Sequence, residues 1–219
     1  MLVDRFELEI VERPGFPPNP PVDHVDFEED ALLVAEALGD GAHLVGHSYG
    51  GIVSLLAAAA APGRTRSLTV IEPPAMSVAR GNAAADAFTR EGIAWWRDGP
   101  TDDPDAFLRG FLRFVGSEYE PPAPLPPSLE QGARTLMVER GPWEAEIPLD
   151  ELEAAGTPAL VVSGAHHAGF DAVCDVLEER LGATRLVLPG YGHSAQRHPA
   201  FNDALAEFVL HAEATRPAG

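Results

Sequence analysis

Lysine is absent from the 219 residues, cysteine occurs once, and 15 basic side chains face 34 acidic ones, a formal charge of -19. Each deficit excludes a class of function. Without an amine there is no Schiff base, no phosphate-gripping lysine of a P-loop and no serine–lysine pair. Without clustered cations, a chain with a pI near 4.6 does not neutralise a phosphate backbone or an anionic lipid surface. Neither nucleic acid nor membrane is therefore expected as a partner. The lone Cys174 closes no internal disulfide and supplies no thiolate set for zinc, which fits a cytoplasmic location. No run approaches the roughly 20 apolar residues of a membrane span. The first ten residues are interrupted by Asp4, Arg5, Glu7 and Glu9, so they carry no apolar signal region.

An apolar content of 45% is enough for the core of one domain with an inserted lobe. Phe6 to Val11 alternates apolar and acidic residues, the period of a half-buried strand, and Pro14-Gly15 ends it. Asp26 with Glu29 forms a capping signal for a helix whose Phe27, Ala31, Val34, Ala35 and Leu38 share a face. A strand at 42–45, an Ala-rich helix ended by Pro62-Gly63 and a strand at 67–71 follow. This alternation predicts a mostly parallel α/β sheet. From 73 to 157 it stops, and helical stretches near 82–97, 103–115 and 128–139 predict an inserted helical lobe. Within that lobe Phe107, Phe111 and Phe114 fall on one helix face, and the prolines between 121 and 127 read as a stiff spacer. Alternation resumes with a strand at 159–163, a helix at 171–181, a strand at 185–188 and a last helix through Phe201, Leu205, Phe208 and Val209.

The sharpest chemical signal is Gly46-His47-Ser48-Tyr49-Gly50, a G-x-S-x-G between a strand and a helix. A turn that sharp requires small residues two before and two after the serine, and it exposes Ser48 beside the Tyr49 amide and the helix N-terminus, where an oxyanion is stabilised. A hydroxyl needs a base to act as a nucleophile. His193, in Pro189-Gly190-Tyr191-Gly192-His193 past the last strand, emerges at the same sheet edge. His47 and His198 read as structural or solvated, and the pair His166-His167 as a polar loop, so no metal and no cofactor is implied.

Together these residues resemble the α/β-hydrolase superfamily, in its lidded, cofactor-independent branch. Arg13-Pro14-Gly15-Phe16 looks like the loop after the fourth strand, GHSYGG (46–51) like the nucleophile elbow, PALVVSG (158–164) like the acid-bearing strand, and PGYGH (189–193) like the histidine loop. The resemblance implies a core of residues 1–72 and 158–219 with a cap at 73–157. It also implies a Ser48 nucleophile, a His193 base, a Tyr49 oxyanion contact and acyl-enzyme chemistry on a small-molecule ester, thioester or lactone. The acid is open between two residues. The family's usual Asp is replaced at His167; Glu72, after the strand 67–71, and Asp171 are the two candidates. Two further readings stay beside esterase-like hydrolysis: carbon–carbon bond hydrolysis with the same residues, and a degenerate, non-catalytic binding protein. The family's third strand, with its second oxyanion donor, has no counterpart after Phe6. Either residues 6–11 therefore move sideways to pair with 42–45, or the chain is an N-terminally abbreviated fragment. Weak or absent esterase activity is expected on that ground. Substrate identity and oligomeric state are not legible.

Overall fold

The structure, a computed structural model, describes residues 2–216. Asp26 starts α1 (Phe27–Ala37): its carboxylate accepts the backbone N–H groups of Glu28 and Glu29, and Glu28, Glu29 and Asp30 complement the positive end of the helix dipole. Then come β1 (Ala42–His47), α2 (Tyr49–Ala60) and β2 (Thr65–Ile71). The helices α3 (Ala83–Asp98), α4 (Pro104–Phe114), α5 (Pro127–Met137) and α6 (Leu149–Ala155) follow with no strand among them. The chain returns to the sheet with β3 (Ala159–Ser163), α7 (Ala168–Leu181), β4 (Thr184–Val187) and α8 (Phe201–Thr215).

The four strands are parallel and lie in chain order, β1-β2-β3-β4. The inner strands read as continuous apolar runs because both faces are covered. Leu68, Val70 and Val161 face the core formed with α1, α2 and α7, while Ile71, Leu160 and Val162 face Phe201, Leu205 and Val209 of α8. Each such side chain contributes about 1.5–3 kcal/mol on burial, so these two layers hold the strand ends, and the residues just beyond them, in fixed positions.

Residues 6–11 do not form the predicted strand and do not pair with β1. Phe6 packs toward the α8 side, but Leu8, Ile10 and Val11 are exposed. Alternation makes a ribbon two-faced; it forms a strand only where a neighbouring ladder satisfies its backbone. Here the segment lines one wall of a broad groove that runs along the free edge of β1, with α1 and α8 as further walls. No described helix is long and apolar enough to cross a membrane.

The proline run at 121–127 is anchored to α4 by Arg109, whose guanidinium donates to the carbonyls of Pro121 and Pro122. The start of α7 also departs from expectation. It begins at Ala168 because the Nδ1 of His167 accepts the Gly169 N–H and caps the helix there, leaving Asp171 inside its first turn.

Candidate active site

Among the described residues, three non-glycine residues have positive φ, and all lie just past the carboxyl ends of strands: Ser48 (φ 53) after β1, Glu72 (φ 49) after β2 and Ala165 (φ 50) after β3. Strain of this kind concentrates where side chains must be aimed. At Ser48 the aim depends on Gly46, where a Cβ would lie 2.1 Å from the Gly50 carbonyl oxygen and 2.3 Å from Ser54 Oγ. Gly51 is similarly confined by Pro73, whose Cβ would be 2.9 Å away. Gly50, expected to need its small size, has open space where a side chain would go. The Ser48 N–H is taken by the Ile71 carbonyl, so the Tyr49 N–H, the first of α2, is the amide left free of intrahelical bonding beside the serine.

The Ser48 hydroxyl lies 2.9 Å from His193 Nε2. On the other side of the ring, Nδ1 is 3.4 Å from Oε2 of Glu72, a fully buried carboxylate whose Oε1 accepts the Gly164 N–H. The His193 backbone is held on both sides: its backbone N–H donates to the Gly116 carbonyl, and its backbone carbonyl accepts from His47 Nε2 at 2.7 Å. Burial lowers the pKa of His193 against the opposing pull of Glu72, so the ring is neutral and able to accept a proton. His47, buried beside it, is pushed down to about 4 chiefly by desolvation and stays a neutral donor.

Asp171, the rival acid, is not at this site. Its carboxylate accepts from Ser163 Oγ at 2.8 Å and pairs with Arg185 at 3.4 Å. The early start of α7 places Asp171 inside its first turn, where Ser163 at the end of β3 and Arg185 on β4 take up its carboxylate instead of His193. Cys174, one turn on, is buried with its thiol pushed up to about 12 by desolvation, which leaves it an inert packing residue.

Two features escaped the sequence. His166 also faces Glu72: its Nδ1 is 3.3 Å from Oε2, while its Nε2 donates to the Val115 carbonyl at 3.0 Å. The second feature is a buried ion cluster next to the serine. Arg13 lies 2.7 Å from Asp30 and 2.8 Å from Glu139, with its guanidinium 4.4 Å from the centre of the Tyr49 ring. The Arg13–Glu139 contact is close but not aligned for a hydrogen bond. Glu139 is pushed up to about 7 by burial, which Arg13 offsets only in part because it is shared with Asp30. Residues as distant as 13, 30 and 139 carry no local signal of their meeting.

Ser48 and Glu139 line a small cavity whose other walls include Trp96, Phe111, Phe114, Trp143 and Phe170. The Phe face of α4 is thus divided: Phe107 is fully buried against Trp95 and Trp96, whereas Phe111 and Phe114 turn to the cavity. An apolar pocket with a serine hydroxyl at one end suits a ligand that carries an apolar chain beside a polar group.

A family model described as the alpha/beta hydrolase family matches residues 2–206. Polyketide synthase ThaQ of Burkholderia thailandensis is 28% identical over 236 aligned residues, which take in 99% of this chain and 10% of that protein. The pimeloyl-[acyl-carrier protein] methyl ester esterase of Methylococcus capsulatus is 32% identical over 153 residues, 69% of this chain and 58% of that protein. The chain therefore spans only a part of each of these relatives. Among solved structures, a bacterial membrane phospholipase A shares the fold with a TM-score of 0.66 at 23% identity, covering 91% of this chain and 68% of its own.

Proposed function

This chain belongs to the alpha/beta hydrolase family, and we propose that within it the protein is a serine hydrolase acting on a small to medium carboxylic ester or thioester with an apolar acyl group. The observation that carries the reading is the line Ser48 Oγ, His193 ring, Glu72 carboxylate, with contacts of 2.9 and 3.4 Å, at the end of an apolar cavity.

In this reading Ser48 attacks the carbonyl carbon as His193 Nε2 takes its proton, and Glu72 holds the ring so that Nδ1 carries the other proton. The tetrahedral oxyanion lies against the Tyr49 N–H and the start of α2. His193 then gives its proton to the leaving alcohol or thiol, and water hydrolyses the acyl-enzyme by the same route in reverse. The helical segment 73–157 acts as the cap that supplies the acyl pocket. The relative named as a methyl ester esterase points to the same class of carbonyl chemistry.

One amide from α2 is the oxyanion donor this site presents, and loss of one donor from a pair costs about 100- to 1000-fold in turnover. Slow turnover with a reactive serine is therefore expected. A fluorophosphonate probe should label the protein at Ser48, p-nitrophenyl butyrate should be hydrolysed slowly, and Ser48→Ala should lose both. A folded protein that neither labels nor turns over more than Ser48→Ala would make it a binding protein instead.

A further inference from the structure

Glu72 faces two histidines with one oxygen. Oε2 lies 3.3 Å from His166 Nδ1 and 3.4 Å from His193 Nδ1, and the three ligand atoms lie within 4.8 Å of one another. These separations stand at the long end for hydrogen bonds from a ring nitrogen to a carboxylate. They match the edge of a tetrahedron around an ion bound at about 2.0–2.1 Å, which is about 3.4 Å.

The tautomer of His166 sharpens the point. A carbonyl only accepts, so the contact to Val115 places the proton of His166 on Nε2. In the neutral ring that leaves the lone pair of Nδ1 turned to a carboxylate oxygen, and Nδ1 is buried with no hydrogen-bond partner. Two lone pairs facing each other in a dry site repel unless a proton or a metal ion lies between them, and a metal ion satisfies both rings and the carboxylate at once. The surroundings are those of a metal ligand: the far nitrogen is tied to a backbone carbonyl, and the second carboxylate oxygen is tied to the Gly164 N–H. The mixed nitrogen and oxygen set suits a borderline divalent ion such as zinc and not magnesium or calcium.

We propose that Glu72, His166 and His193 form an inhibitory three-ligand site for a divalent transition-metal ion, with zinc as the probe. The inhibitory part rests on the reading of His193 as the base. Zinc takes the Nδ1 lone pairs of both rings and one oxygen of Glu72, and its fourth position holds water. The single proton of the His193 ring is then on Nε2, where the ring can donate to Ser48 but cannot accept from it. No proton is gained or lost; the base changes tautomer and stops working. Free hydrolase and metal-bound, silent hydrolase are thus two states of one residue cluster.

The test uses the full chain freed of metal by chelator and then dialysed. Zinc chloride is titrated calorimetrically into the wild type, His166→Phe and His166→Ala, with circular dichroism confirming the fold of each; the Phe variant keeps the stack on Phe170. One ion should bind the wild type, with affinity falling in both variants by at least the roughly 10- to 100-fold that loss of outer-shell support alone costs. Fluorophosphonate labelling, normalised to each protein's own metal-free rate, should be blocked by zinc in the wild type and far less in the variants, and restored by chelator. Equal zinc binding in wild type and variants would overturn the site. If both variants misfold, cobalt(II) bound to the wild type decides: an intense four-coordinate visible spectrum supports the site, and the weak spectrum of a six-coordinate ion refutes it. Tight zinc binding without Ser48 labelling in metal-free protein would sink the hydrolase reading and leave the site standing, whereas labelling indifferent to zinc would do the reverse.

Discussion

Glu139→Gln should flatten a pH dependence of stability that this buried carboxyl imposes. Glu139 is 7% exposed, shares Arg13 with Asp30, and has its pKa raised from 4.5 to about 7, first by desolvation. Arg13, whose burial also disfavours charge, is nonetheless held protonated by its two carboxylates, so one cation serves two acids. A carboxyl with a raised folded-state pKa keeps its proton in the native state over a range where the unfolded chain has lost it. The native state then binds more protons, and stability falls as pH rises through that window. The shift from 4.5 to about 7 corresponds to about 3 kcal/mol, fully present below the lower value and lost above the upper one. Against a typical domain stability of about 5–15 kcal/mol, that is readily measured. Urea denaturation of both proteins at about pH 5 and about pH 8 gives the difference directly. The wild type should lose about 2.5 kcal/mol more than the variant between the two conditions, other carboxyls cancelling in the comparison. Parallel stability profiles for the two proteins would refute the reasoning.

Replacing Glu72 by Gln should lower turnover by about 10⁴-fold, the cost of misorienting a triad histidine, while Asp171→Asn leaves turnover near the wild type; equal effects in steady-state assays would contradict the assignment of the acid. Gly46→Ala should fail to give a stable fold, because the new Cβ meets the Gly50 carbonyl at 2.1 Å, and an unchanged melting temperature would show that the elbow relaxes freely. Phe111→Trp, by filling part of the cavity, should move ester preference toward shorter acyl chains when p-nitrophenyl acetate, butyrate and octanoate are compared; an unaltered preference would place the acyl group elsewhere.

Much of the site was legible because its placement is local. The elbow needs only a strand, a helix and glycine at 46, and those are visible in consecutive residues; His193 follows from the last strand and its glycines. Choosing Glu72 over Asp171 required knowing where α7 starts, and that depends on a cap made by His167, which looks like any polar loop residue in the chain. His166 and the Arg13–Asp30–Glu139 cluster were hidden for a different reason. Their partners come from segments far apart in sequence, and only packing of the helical stretch against the sheet brings them together. The strand expected at 6–11 shows the converse limit: its alternation was real, but a strand is a relation between two segments, and β1 offers its free edge without capturing this one.

The two carbonyls at Val115 and Gly116, one accepting from His166 and the other from the His193 backbone, have an implication for exchange of parts. They belong to the end of α4, in the stretch that also walls the apolar cavity beside Ser48. A chimera that imports another relative's helical stretch to change substrate preference would remove one of the two clamps on the histidine loop at the same time. Under the proposed hydrolase reading, selectivity and reactivity are wired through one short turn, and a graft that keeps residues 115–116 has a mechanical reason to work where a wholesale exchange does not.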